Sequence, residues 1–143
     1  AINVALAVGA EACITLERGY DLKQIAENML ETSKSGKTHF IIVVAEGVGK
    51  TQEITEQIEE LTGIESRATV LGHVQRGGNP TVRDRVMATA MGYHAVELLE
   101  KGIGNRVVGL KNNEIYDVDI QEALAMKKPF DDDLYDILSK TAF

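Results

Sequence analysis

The run His39-Phe40-Ile41-Ile42-Val43-Val44-Ala45 is almost wholly apolar and rich in β-branched residues. Such a run fits a strand covered on both faces, which belongs in a parallel sheet flanked by helices. Working outward supports this. Ala12-Cys13-Ile14-Thr15-Leu16 is a second compact strand candidate, and between the two Asp21 can cap a helix carrying Leu22, Ile25, Met29 and Leu30 at helical spacing, with Gly36 as its stop. On the other side, Thr51 can cap a helix with the stripe Ile54, Ile58 and Leu61, ended by Gly63, before a third strand at Arg67-Ala68-Thr69-Val70-Leu71. Strand, helix, strand, helix, strand predicts an α/β fold built on a parallel βαβαβ unit. Beyond it, Asn79-Pro80 predicts the start of a long helix through Val86, Met87, Met91, Ala95, Leu98 and Leu99 to about Gly102. A β-hairpin around Lys111-Asn112-Asn113 and two short C-terminal helices, Ile120 to Met126 and Leu134 to Lys140, complete the chain.

Composition narrows the function. The 143 residues are 44% hydrophobic and 26% charged, which excludes general disorder and suits one ordinary core. No apolar run reaches the roughly 18 residues needed to span a bilayer, so no membrane partner is expected. The net charge of −7 argues against nucleic acid and means that any anionic ligand must be held by a local basic cluster. The single Cys13 has no internal disulfide partner, which points to a reducing, cytoplasmic setting. The opening Ala1-Ile2-Asn3-Val4-Ala5-Leu6-Ala7-Val8 has no positive n-region and reads as the middle of a helix ending near Gly9. The chain is therefore expected to be a piece of a longer protein.

Ligands of open α/β sheets sit beyond the carboxyl ends of the strands. Two strand ends carry suggestive residues: Glu46 in Ala45-Glu46-Gly47-Val48-Gly49, and Gly72-His73-Val74-Gln75-Arg76-Gly77-Gly78. In the second, Arg76 offers a bidentate fork, His73 a further donor, and the glycines let backbone N–H groups approach, which suits a phosphate. A solvated basic loop beside a structural turn fits the same residues. Arg67, at the start of the predicted strand and about 17 Å away by strand rise, should not reach the same ligand. Glu46 is either a ligand for a sugar hydroxyl or an exposed loop carboxylate. Gly49-Lys50-Thr51 follows a strand and opens a helix, but a P-loop needs Gly at position 44 and the chain has Val44. His39 and His94 lack metal-ligand spacing, and no metal ligand set is expected. Asp131-Asp132-Asp133 reads as a helix N-terminal cluster.

The run from Glu65 to Asp84, ESRATVLGHVQRGGNPTVRD, resembles the signature of bacterial 6-phosphofructokinases. FIIVVAEGVG, MATAMGYHAVELLEKGIGNRVVGL and DIQEALAMKKPF extend that resemblance to essentially the whole chain, which is similar to the C-terminal half of the enzyme. The resemblance implies a phosphofructokinase-like three-layer αβα fold. It also implies a glycolytic kinase that moves the γ-phosphoryl of ATP, with Mg2+, to the 1-hydroxyl of fructose 6-phosphate. By resemblance, residues 1–78 belong to the fructose 6-phosphate domain, 79–128 to the nucleotide domain, and 129–143 return to the first. Glu46 matches the sugar-hydroxyl ligand, while His73 and Arg76, with Val74 and Gln75 between them, match the 6-phosphate grip. Arg67 matches an arginine that reaches the neighbouring subunit's site in a homotetramer. The family's glycine-rich ATP loop, magnesium aspartate and catalytic-base aspartate match nothing here. The resemblance thus assigns this piece sugar-phosphate ligands and no catalytic residue, and the piece alone is expected to be inactive.

The resemblance further implies an effector site taking ADP or phosphoenolpyruvate, with Gly9, Ala10, Glu11, Lys37, Thr38 and His39 as matching positions. A pyrophosphate-dependent relative and a non-catalytic sugar-phosphate module are the alternatives. Ser35 stands where the family often has a basic residue, so one cation is missing from the effector segment. Ser35→Lys in the complete enzyme is expected to strengthen the response to ADP or phosphoenolpyruvate, and an unchanged effector titration would contradict the assignment.

Overall fold

The computed structural model describes residues 1–142, which divide into two units: 1–70 with 130–142, and 71–129. In the first unit, the parallel strands β1 (Ala12–Ile14) and β2 (Ile42–Val44) pair as Ala12↔Ile42, Cys13↔Val43 and Ile14↔Val44. Backbone bonds extend the ladder at both ends, Glu11 N–H to Ile41 O and Ala45 N–H to Ile14 O, each 2.8 Å. Alternation sends Cys13 and Ile14 to opposite faces. Cys13 packs with Ala5 of helix α1 (Ile2–Ala7), Ala10 and Leu138 of the C-terminal helix α6 (Asp132–Thr141). Ile14 packs with Met29 of α2 (Leu22–Lys34) and with Ile54 and Ile58 of α3 (Thr51–Thr62). This is the expected α/β layering, helices on both faces of a parallel pair. Burial pushes the Cys13 thiol pKa up, as expected for a core cysteine without an activating partner.

The helix boundaries follow local chemistry. Asp21 accepts from the Lys23 and Gln24 amides and starts α2, and Gly36 adopts φ +101° just after its end. Gly63 ends α3 in the left-handed region at φ +69°. The predicted cap Thr51 is instead the first helical residue, and Lys50, at φ +54°, holds the N-cap position without a side-chain cap bond.

The third predicted strand does not form. Residues 64–71 are neither strand nor helix, so the parallel sheet has two strands rather than three. The chain uses its hydrogen-bonding groups locally: Ser66 N–H donates to Glu59 Oε2 at 2.9 Å, and Arg67 pairs with Glu65. Val70 and Leu71 are left exposed. A β-branched sequence has no ladder without a neighbouring strand edge.

The second unit contains a 3-10 turn (Gly72–Arg76), α4 (Val82–Glu100), the antiparallel pair β3 (Arg106–Lys111) and β4 (Glu114–Asp119), and α5 (Ile120–Ala125). The predicted Asn79-Pro80 start shifts to Thr81. Its hydroxyl accepts from the Asp84 amide while the Asp84 carboxylate accepts from the Thr81 amide, a reciprocal capping box. The Thr81 amide first, and then the Thr81 hydroxyl, which donates to Asp84 Oδ2 at 2.8 Å, hold the Asp84 pKa below the ordinary aspartate value. The hairpin turns on Asn112 and Asn113 at φ +53° and +66°, the left-handed pair that a two-residue turn requires. Of the predicted α4 stripe only Leu98 is buried; Val86 and Leu99 are exposed. No helix among the described residues is long and apolar enough to cross a membrane.

One carboxylate ties the hairpin to α4. Asp117 Oδ2 lies 3.0 Å from His94 Nε2 on α4, and Asp117 Oδ1 accepts from Arg106 Nε on β3 at 2.6 Å. These bonds, His94 first, lower the Asp117 pKa. A depressed carboxylate contributes stability that is present above its unfolded value, about 3.9, and lost as pH falls through the lower folded value. Asp117→Asn should therefore lower the melting temperature at pH 6, and the gap to the parent should close as the pH falls through the lowered folded value. A constant gap across that range would show that the carboxylate's charge is not what holds the hairpin.

Candidate functional site

Glu46 opens a 3-10 turn, Glu46–Val48, immediately after β2, at the carboxyl end of the parallel pair. Its side chain is exposed, and the turn is closed by Val48 N–H to Ala45 O at 3.0 Å and Gly49 N–H to Glu46 O at 3.1 Å. Arg67, in the same unit, is exposed in the irregular segment and donates to Glu65 Oε1 from Nη2 at 2.7 Å and from Nε at 3.2 Å. A distance reckoned along a strand therefore does not apply to it.

The second unit brings His73, Val74, Gln75 and Arg76 into one 3-10 turn bounded by Gly72 at φ +55° and Gly77 at φ +93°. All four side chains are exposed, and among the described residues neither His73 nor Arg76 has a protein hydrogen-bond partner. Two left-handed glycines around a single turn make it short, with a guanidinium and an imidazole on it and no competing carboxylate bonded to either. That arrangement can take an anion by charge-assisted hydrogen bonds.

The segment Gly9-Ala10-Glu11 lies at the opposite end of the ladder. Gly9 turns the chain at φ +62°, Ala10 is fully buried, and the Glu11 side chain is only 2% exposed. Lys37 Nζ donates to Glu11 Oε2 at 2.8 Å and lies 5.6 Å from the Phe40 ring centre. Thr32 Oγ1 makes a longer contact, 3.5 Å, with Glu11 Oε1. Thr38 and His39 are exposed beside them, and the Ser35 hydroxyl donates to Thr32 O at 2.6 Å, closing the end of α2. The sequence placed Glu11 and Lys37 in one segment set but did not foresee that they neutralise each other. It also missed the ion pair of Arg18 with Asp132, because 114 residues separate the partners and no local spacing signals it.

A cavity of 670 Å³ against α4 in the second unit is apolar in character and holds none of the predicted ligands; Val86, Ala90, Tyr93 and Ile115 contribute to it. No group of three or more His, Cys, Asp or Glu side chains among the described residues is arranged to hold a metal ion.

The chain is an α/β protein with a carboxylate turn after β2 in the first unit and a glycine-bounded basic turn in the second. Comparison with known proteins gives its family. The family profile described as "Phosphofructokinase" matches residues 1–99. A protein of Clostridium botulinum (strain Loch Maree / Type A3) named ATP-dependent 6-phosphofructokinase is 50% identical over 137 residues, covering 96% of this chain and 43% of that protein. ATP-dependent 6-phosphofructokinase 1 of Clostridium perfringens (strain 13 / Type A) gives the same identity and coverage, 50%, 96% and 43%. The chain belongs to the phosphofructokinase family, and it spans less than half the length of these curated relatives.

The Glu11–Lys37 pair gives a direct test of local electrostatics. Removing the lysine strands a buried carboxylate, which costs about 3–5 kcal/mol for a closed pair and less here because Lys37 is partly exposed. Lys37→Ala is expected to destabilise the chain by about 2 kcal/mol in thermal or urea melts. Adding Glu11→Gln should recover most of the loss, since the amide buries no net charge.

Proposed function

We propose that this chain supplies the fructose 6-phosphate-binding side of an ATP-dependent 6-phosphofructokinase. The observation that carries the reading is the Gly72–Arg76 turn, which displays His73 and Arg76 unpaired between two left-handed glycines. Arg76 takes the 6-phosphate as a fork, His73 adds a second donor, and Val74 and Gln75 set their spacing. Glu46 accepts a hydrogen bond from a sugar hydroxyl. Arg67 serves the site of a neighbouring subunit in a homotetramer; its present partner, Glu65, is exposed, and such a pair is cheap to exchange for a phosphate.

In the reaction, the 1-hydroxyl oxygen forms a bond to the γ-phosphorus of ATP, the bond from that phosphorus to the ADP oxygen breaks, and the hydroxyl proton leaves to a base. This chain contributes substrate binding and orientation; the nucleotide, its Mg2+ and the base belong to residues outside it. Catalysis of this kind rests on positioning and charge stabilisation, so a chain that only binds still governs rate. The names of the relatives favour ATP over pyrophosphate as donor.

Gly9, Ala10, Glu11, Lys37, Thr38 and His39 form, in the same reading, an effector site for ADP or phosphoenolpyruvate. The close approach of Glu11 and Lys37 supports their acting together, and the Ser35 hydroxyl, spent on closing α2, leaves the site one cation poorer. The buried thiol and the glycolytic substrate favour the cytoplasm.

Fructose 6-phosphate titrated into the chain is expected to shift the His73 ring and Arg76 side-chain NMR signals, with ADP leaving them in place. In the complete enzyme, Arg76→Ala should raise KM for fructose 6-phosphate about ten- to a hundredfold, the equivalent of losing about 1.5–3 kcal/mol of charged hydrogen bonding, with little change in KM for ATP. Equal effects on both substrates would assign Arg76 another role.

A further inference from the structure

We propose that residues 130–142 form a strap that opens from the first unit as one body, with Arg18 as its clasp. The segment belongs to the first unit although residues 71–129 separate it from the rest of that unit in the chain. Side-chain contacts, rather than adjoining backbone, therefore hold it in place.

The strap is a preformed piece with a narrow hold. The Asp131 carboxylate accepts from the Leu134 amide at 2.9 Å and its carbonyl from the Tyr135 amide at 3.1 Å, so α6 starts on its own capping bonds. Leu138 is its buried residue, whereas Ile137 beside it is half exposed.

The clasp reaches the other end of the strap from the loop after β1. The Arg18 guanidinium is ion-paired with Asp132 and lies 5.7 Å and 5.2 Å from the ring centres of Phe130 and Tyr135. Those rings are 5.6 Å apart and inclined at 53°. An exposed ion pair alone contributes little, and so does a single exposed cation–π contact. Here one planar group makes all three contacts, and Arg18 cannot turn away without losing them together. All three partners belong to the strap, so the contacts exist only while it is docked.

What lies beneath gives the opening a consequence. Leu138 packs with Cys13 and Ala5 on one face of β1. Ile14 packs on the opposite face with Met29, Ile54 and Ile58, and no strap residue takes part in that cluster. Lifting the strap uncovers the Cys13 thiol and leaves the Ile14 cluster assembled. Arg18 thus sets how often a thiol in the sheet meets solvent.

Cys13 is the only cysteine of the chain, which makes it the reporter of its own exposure. The probe is dithiobis(nitrobenzoic acid): the Cys13 thiolate attacks the reagent's disulfide, a mixed disulfide forms and thionitrobenzoate leaves. At low reagent concentration and fixed pH, the labelling rate of the 143-residue chain follows the population with the strap open. Arg18→Ala should speed labelling about five- to thirtyfold, and Arg18→Lys and Asp132→Asn by less, since each keeps part of the clasp. Ile58→Val should lower the urea midpoint yet leave labelling unchanged, because it weakens docked and open forms alike. In the parent, labelling should also depend on urea less steeply than unfolding of the unit does. A rate unaltered by Arg18→Ala would overturn the proposal. So would labelling accelerated by Ile58→Val, or a urea slope equal to that of unfolding, since either means that the thiol is reached only when the whole unit unfolds.

Discussion

The three-pair ladder of β1 and β2 is the constraint from which the first unit is built. Its two faces bury different clusters, one through Cys13 and one through Ile14, so four helices are organised by two short strands. Its two ends matter as much. The amide of Glu11 bonds to Ile41 at one end, and the amide of Ala45 bonds to Ile14 at the other. The buried Glu11–Lys37 pair and the exposed Glu46 turn are therefore fixed at opposite ends of one element, about 10–15 Å apart at strand rise. A change in strand pairing at either end would be felt at the other, because no intervening loop absorbs it.

The second unit solves a different problem with polar groups. Its hairpin has few buried apolar residues, Val118 among them, and an exposed neighbour in α4. Asp117 compensates by bonding to both a helix residue and a strand residue, which fixes an orientation that nonspecific apolar contact would leave loose. Gly109 adds a steric constraint: a Cβ there would lie 2.8 Å from the Tyr116 ring, so the ring covers a bare stretch of the opposite strand. The helix start is likewise set by the Thr81–Asp84 box rather than by the proline before it.

What could be read from the sequence divides along the same physical line. The runs around Ile14 and Val43 announce buried strands because period and apolarity are local properties. The caps at Asp21 and the left-handed Gly36 and Gly63 are local too, and they appear where the sequence indicates. Arg67–Leu71 has the composition of a strand but forms none, since ladder formation depends on a partner edge that composition cannot describe. Asn79 is displaced as a cap by two residues because the Thr81 hydroxyl and the Asp84 carboxylate make the capping bonds, whereas at α3 the cap position moves one residue, to Lys50, with no side-chain bond to account for it. The basic turn at 72–77 was legible from its glycines and its Arg76. The Glu11–Lys37 and Arg18–Asp132 pairs were not, as each joins residues far apart in the chain.

Charge explains why the basic turn can work on an acidic chain. At −7 overall, the long-range field repels an anion, and screening limits that repulsion to about 8 Å at physiological ionic strength. Within that distance only the local arrangement counts. Lys37 is neutralised by Glu11, Arg18 by Asp132, Arg67 by Glu65 and Arg106 by Asp117, so these cations are occupied by carboxylates. His73 and Arg76 are left without such partners and keep their donors available. Other cations, Lys23 and Arg83 among them, also make no salt bridge among the described residues, so what sets His73 and Arg76 apart is that one glycine-bounded turn carries both.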